Sequence, residues 1–259
     1  MEELFAKYPF FLLAFARMIG FLFSNSIFGK KNVPAVIKIG LAGAFAFAST
    51  INIKEPVTEL NGDILAFGLA FSVEFFLGFA ISFIIEMLLS AIIFGGELLD
   101  MQMGISMNKF YDATSGTDMP TIGLLLRILF MLEFFLTNSH YNLVKIINHS
   151  FSILPVGQSK INTNALFFIT SLMKEVFEIG FKLAIPMIAA ILIVDIGIGI
   201  LMRAIPQLNV FVLNIYVKFI IGFLLLLKIG PDLVEFSQNL TEKMFFNIER
   251  FLRIAVIKQ

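Results

Sequence analysis

The side chains that could do chemistry are few and poorly spaced for it. Asp100, Asp112 and Asp118 surround a glycine-rich segment, Ser106 and Ser115 lie within it, and His140 and His149 follow downstream. A carboxylate pair catalyses hydrolysis when its two members differ in proton affinity, and a serine becomes a nucleophile only beside a base. No base stands at a recognisable spacing from Ser106 or Ser115, and the aspartates read better as helix caps or solvated loop residues. The two histidines have no nearby carboxylate or thiolate cluster, so structural or capping roles outweigh metal ligation. GxGxxG, phosphate-loop, HExxH and GxSxG patterns are all missing. The expectation is a protein that is not an enzyme and uses no cofactor or metal.

What must position these residues is apolar. Of 259 residues 58% are hydrophobic and only 15% charged, and the mean hydropathy is +0.92. Soluble domains typically carry about 25% charged residues, so this is an integral membrane protein or part of an apolar assembly. Nineteen basic residues balance nineteen acidic ones, which gives no basic face for nucleic acid. Zero cysteine excludes disulfides. The opening MEELFAKYPF begins with acid, and no small-residue cleavage site follows Phe10–Phe23, so a retained first helix is expected.

Six apolar blocks are legible: Pro9–Phe28, Val33–Ile53, Ile64–Phe94, Ile122–Leu154 interrupted at Asn138-Ser139-His140, Leu166–Ile205, and Val210–Lys228. They form one helical domain over residues 1–259. The third block is too long for a hydrocarbon core of about 30 Å, so it should tilt, project, or kink at Gly78. Pro186 should kink or break the fifth. From Asp232 to Gln259, Leu233, Phe236, Leu240, Met244, Ile248, Phe251 and Ala255 recur at helical spacing, an amphipathic helix for a membrane surface or a partner. Between Gly95 and Pro120 stands a polar, Gly- and Met-rich stretch, which is either a surface loop or the wall or stopper of a pore.

Arg17, Glu74, Arg127, Glu133 and Asp195 are charges inside these blocks. A central charge in a spanning helix costs roughly 2.5–3.5 kcal/mol. Such groups must snorkel, pair (Arg127 with Glu133, for example), serve an ion relay, or pack between protein subunits. The short, long and interrupted blocks favour the last.

Met101–Pro120, reading MQMGISMNKFYDATSGTDMP, resembles the loop of the flagellar export-gate subunit family called FliR. Asn138-Ser139-His140, Ser150-Phe151 with Leu154-Pro155-Val156-Gly157, and Arg203 with Pro206-Gln207-Leu208-Asn209-Val210-Phe211 resemble further segments of that family in the same order. Arg17, Val33-Pro34 and Glu74…Gly78 also fit. Ser139 where glycine is usual, Met107-Asn108-Lys109, and Ala113 in place of proline are departures. A homologous T subunit of virulence secretion systems shares much of the PQLNVF block, but its loop usually reads differently, which favours the flagellar branch.

The resemblance implies an all-α, membrane-associated subunit of helical hairpins with kinked and over-long helices, packed in a hetero-oligomeric gate with flagellar P and Q subunits. The B subunit, the large export-apparatus component and membrane lipid would be further neighbours. Unfolded flagellar proteins would pass through the gate across the bacterial inner membrane at the basal body. Met103, Gly104, Ser106, Met107, Phe110, Tyr111, Asp112, Ser115, Gly116 and Met119 would help to plug the closed channel. Flexible Met can close around irregular shapes, and Gly104 and Gly116 let the backbone turn. Arg203, Pro206, Gln207, Asn209 and Phe211 would sit at a subunit interface. An ion- or proton-coupled secondary transporter using Glu74, Asp195 and Lys182 is the alternative.

Overall fold

The structure is a computed structural model that describes residues 2–25, 27, 33–51, 64–106, 120–157, 162–205 and 210–255. Among them the chain is all-α, with eight helices: α1 (Glu2–Ser24), α2 (Ala35–Ile51), α3 (Ile64–Met103), α4 (Thr121–Leu136), α5 (Ser139–Ile153), α6 (Thr163–Ala204), α7 (Val210–Lys228) and α8 (Gly230–Ala255). Long apolar runs supply the helices, and interruptions end them. Between α4 and α5, Asn138 takes the left-handed conformation, with φ of 57°, which asparagine tolerates better than most residues.

The helices run on through Gly78 and Pro186, and one boundary is corrected. α3 runs 40 residues without interruption through Gly78 and on to Met103, about 60 Å at 1.5 Å per residue. Residues Gly95–Met103 are therefore helix, not loop; Glu97, Leu98, Leu99, Met101 and Met103 are good helix formers. α6 likewise continues through Pro186 over 42 residues. A proline forfeits one backbone bond, and 41 mostly apolar residues sustain the rest.

α3 and α6 are long and apolar enough to cross a membrane, and up to four spans result if each of two bent helix pairs counts as one. The most apolar window of α3 is 56% buried within the chain, that of α6 only 17%. The outer face of α6, with Ile193, Ile196 and Ile200, therefore faces lipid or another protein.

The chain forms two compact units. The first comprises Met1–Met87, Asn138–Leu172 and Glu242–Gln259, the second Leu88–Thr137 and Met173–Thr241. In the first, Gly20 on α1 and Gly78 on α3 let two backbones meet. A Cβ on Gly20 would collide with the Phe75 carbonyl, and one on Gly78 with the Arg17 carbonyl. In the second, Gly96 of α3 and Gly123 of α4 make a similar approach.

The tail helix differs from expectation. Leu240, Met244, Ile248, Phe251 and Ala255 are buried, and Leu233 and Phe236 half-buried. Phe251 packs beside Phe168, and the Arg250 guanidinium lies 5.3 Å from the Phe168 ring centroid. From Leu240 onward the apolar stripe of α8 is thus core of its own chain, while Leu233 and Phe236 stay partly exposed. Periodicity reveals an apolar face without revealing what covers it.

Candidate functional site

The loop expected to close a channel is described only at its base. Met103, Gly104 and Ser106 are placed; Met107, Phe110, Tyr111, Asp112, Ser115, Gly116 and Met119 lie outside the described residues. The base is tightly held. α4 begins after Pro120, which has no side-chain oxygen to cap it, so its first amides need another acceptor. Asp100, fully buried near the end of α3, supplies it: Oδ2 accepts the Thr121 N–H, and Oδ1 the Ile122 N–H at 3.0 Å. A carboxylate at a helix N-terminus also meets the positive end of its dipole. One turn earlier on α3, Gly96 lies against Gly123, so the two stems close by backbone contact and by capping.

Met103 is 1% exposed. Its side chain fills the notch at Gly222 on α7, where a Cβ would stand 2.6 Å from Met103 Cε. This contact anchors the stem of the segment. Past it the backbone leaves the helix through Gly104, whose φ of 75° suits glycine. Ser106 Oγ donates to the Asp100 carbonyl at 3.5 Å.

A second convergence lies in the first unit. Arg17 on α1 is 1% exposed and Glu74 on α3 0%. Arg17 Nε donates to Glu74 Oε2 at 2.7 Å, Nη1 to Ser150 Oγ at 3.2 Å, and Nη2 to the Leu154 carbonyl at 2.9 Å. Gly157, with φ of 79°, turns its N–H onto Glu74 Oε1 at 3.0 Å. The Phe151 ring lies under the guanidinium at 4.5 Å. Every residue of this hub belongs to a segment that carried the family resemblance, yet nothing in the sequence order announced that they meet. A buried ion pair is tolerated when its geometry is good and its other hydrogen bonds are met, and both conditions hold here.

The other marked charges are placed separately. Asp195 on α6 and Lys218 on α7 pair at 2.7 Å, with 33% and 16% of their side chains exposed. Lys182 and Glu178 pair at 2.7 Å on the exposed surface of α6. Arg127 is half-buried and Glu133 buried, and the two form no ion pair among the described residues. Six helical positions set them about 120° apart around α4, so the expected pairing is corrected. Arg203 is exposed in the last turn of α6. Pro206, Gln207 and Asn209 lie outside the described residues, and Phe211 stands in the first turn of α7. His149 shares a 2.9 Å hydrogen bond with Ser152, and His140 stacks by Tyr141. No metal-binding group of three or more His, Asp or Glu occurs among the described residues.

Two spanning-length helices, an ion pair sealed in an apolar bundle and two helix ends joined through Asp100 mark an all-helical protein of the membrane-associated class. Residues 8–244 match the model of the family described as bacterial export proteins, family 1, and the chain belongs to that family. It is 33% identical over 232 residues to flagellar biosynthetic protein FliR of Bacillus subtilis, covering 88% of each chain. To FliR of Escherichia coli it is 28% identical over 239 residues, 88% of this chain and 87% of that one. Secretion system apparatus protein SsaT of Salmonella typhimurium is 26% identical over 142 residues, 54% of this chain and 55% of that protein. These two flagellar relatives cover most of the chain and the virulence-type relative about half, and with the family match this makes the chain a component of a flagellar type III export apparatus. The relatives are named for flagellar biosynthesis and a secretion apparatus, not for a reaction.

Proposed function

We propose that this chain is the R-type subunit of a flagellar export gate, surrounding with P and Q subunits the passage by which unfolded flagellar proteins cross the bacterial inner membrane. Its segment 103–119 helps to close that passage. The observation that carries the reading is the clamp beneath the segment. A movable closure needs an attachment that stays fixed while the rest swings, and Asp100, Gly96–Gly123 and Met103–Gly222 provide one. The largely uncovered α6 supports siblings as neighbours. Arg203 and the Pro206–Phe211 segment are the proposed subunit contact.

Deleting Ser106–Gly116 while retaining Asp100 and Thr121 should leave assembly with co-purifying membrane subunits intact but make the gates leak small ions. Unchanged permeability would refute the closing role, and a chain that purifies alone would refute the gate. A transporter needs titratable groups free to exchange protons or ions along a path. Here Glu74 is engaged by Arg17, Asp195 by Lys218, and Lys182 by Glu178. The purified chain in liposomes is expected to show no solute uptake.

A further inference from the structure

In the second unit α4, α7 and α8 enclose a groove of about 600 Å³. Leucine and phenylalanine dominate its wall, Leu129 and Leu132 from α4 facing Phe223 and Leu226 from α7. Among the described residues one charge interrupts this lining. Glu133 is 8% exposed and lines the groove, and its Oε2 has no hydrogen-bond partner among those residues. No lysine or arginine is among the described residues of the lining. A carboxylate held in apolar surroundings without a counter-charge is costly, so the groove as it stands is half of a complementary pair.

We propose that the groove receives an apolar helix of another membrane-embedded subunit, and that this helix carries a lysine or arginine which pairs with Glu133. The occupant must satisfy two demands at once. It must bring enough apolar surface to fill a leucine-lined trough, and it must bring a cation to a fixed point along it. A lipid acyl chain meets the first demand and leaves the carboxylate bare. A soluble basic peptide meets the second and would strand its polar residues against leucine. A membrane helix with one basic side chain meets both, and the buried charge then fixes register as well as attraction. Leu124, Ile128 and Leu136, exposed on α4, extend the apolar surface around the trough. The inference rests on the reading of this chain as one subunit among membrane siblings.

The test is photocrosslinking of the full-length chain in its native membranes. A benzoylphenylalanine at Leu129 reports on the groove, and one at Ile193, on the outer face of α6, reports on assembly independently. From position 129 the expected adduct is an apolar helix of a co-purifying membrane subunit, with a lysine or arginine in the crosslinked stretch. Glu133→Lys should lower that yield about tenfold, a loss of one hydrogen-bonded charge pair. Glu133→Gln, which keeps the shape, should lower it in the same direction. Exchanging the partner's cation for glutamate in the Glu133→Lys background should restore it. Adducts to lipid alone, to a helix without a cation, or at unchanged yield in both Glu133 variants overturn the inference. If position 193 still captures siblings in that case, the subunit reading stands. If neither position captures protein, both fall.

Discussion

Replacing Arg17 with methionine removes one half of a buried ion pair and leaves the other in place. Glu74, with no exposed surface, would keep the Gly157 N–H but lose the Arg17 guanidinium. Three donated hydrogen bonds vanish, to Glu74, Ser150 and Leu154, together with the contact over Phe151. Stranding one partner of a buried pair costs about 3–5 kcal/mol. The double variant Arg17→Met/Glu74→Met removes the stranded charge as well. It should recover about 2 kcal/mol of that loss, short of full recovery because the Leu154 carbonyl and the Gly157 N–H lose their side-chain partners, while Ser150 Oγ keeps its bond to the Ile147 carbonyl. Reversible denaturation of the purified chain in mixed detergent micelles, followed by loss of helix signal, measures both. A loss below about 1 kcal/mol in Arg17→Met, or a double variant no better than the single one, would refute the hub as the organiser of the first unit.

Three further outcomes follow from the geometry. Asp100→Ala should cost about 2 kcal/mol and speed hydrogen exchange at the Thr121 and Ile122 amides; Asp100→Asn, which keeps one acceptor, should do less, and unchanged exchange in both would dismiss the clamp. Gly78→Val places a side chain against the backbone of α1 at Arg17 and Phe21, so membrane abundance should fall sharply, by the overpacking cost of about 1–3 kcal/mol or more; normal abundance would mean that α1 and α3 do not touch there. Asp195→Asn breaks a pair that its own chain only partly covers, so in micelles, where solvent can reach it, the loss should stay within about 1 kcal/mol in the same denaturation assay. A much larger loss would mean that the pair is more secluded than its 33% and 16% exposure indicates.

Where helices lie was largely legible in the sequence. α7 matches the apolar run Val210–Lys228, and the Asn138-Ser139-His140 interruption separates α4 from α5. These features depend on local hydropathy, which a sequence displays directly. Which helix meets which does not. Gly78 reads as a weak point in a long helix, yet its absent side chain serves the approach of α1. Arg17, Glu74 and the Ser150–Gly157 segment are individually recognisable, but the ion pair spans 57 positions and the contact to Leu154 spans 137. Arg127 and Glu133 invited pairing because they share a helix, though helical geometry alone separates their faces. The α8 stripe was visible and its cover was not. Asp100 reads in the sequence as a cap or a solvated loop residue, and nothing there shows that it caps the helix on the far side of the loop.

The first unit draws on three separated stretches, and the last of them starts at Glu242. During synthesis α1 and the first half of α3 therefore emerge long before Ser150, Leu154 and Gly157 exist to finish the hub, and before Met244, Ile248 and Phe251 can complete the packing. Arg17 and Glu74 are thus both made before any other member of the hub. A ribosome stalled after Thr241 would hold an unfinished N-terminal half, so quality control in the cell can inspect the beginning of this polypeptide only once its end has been made.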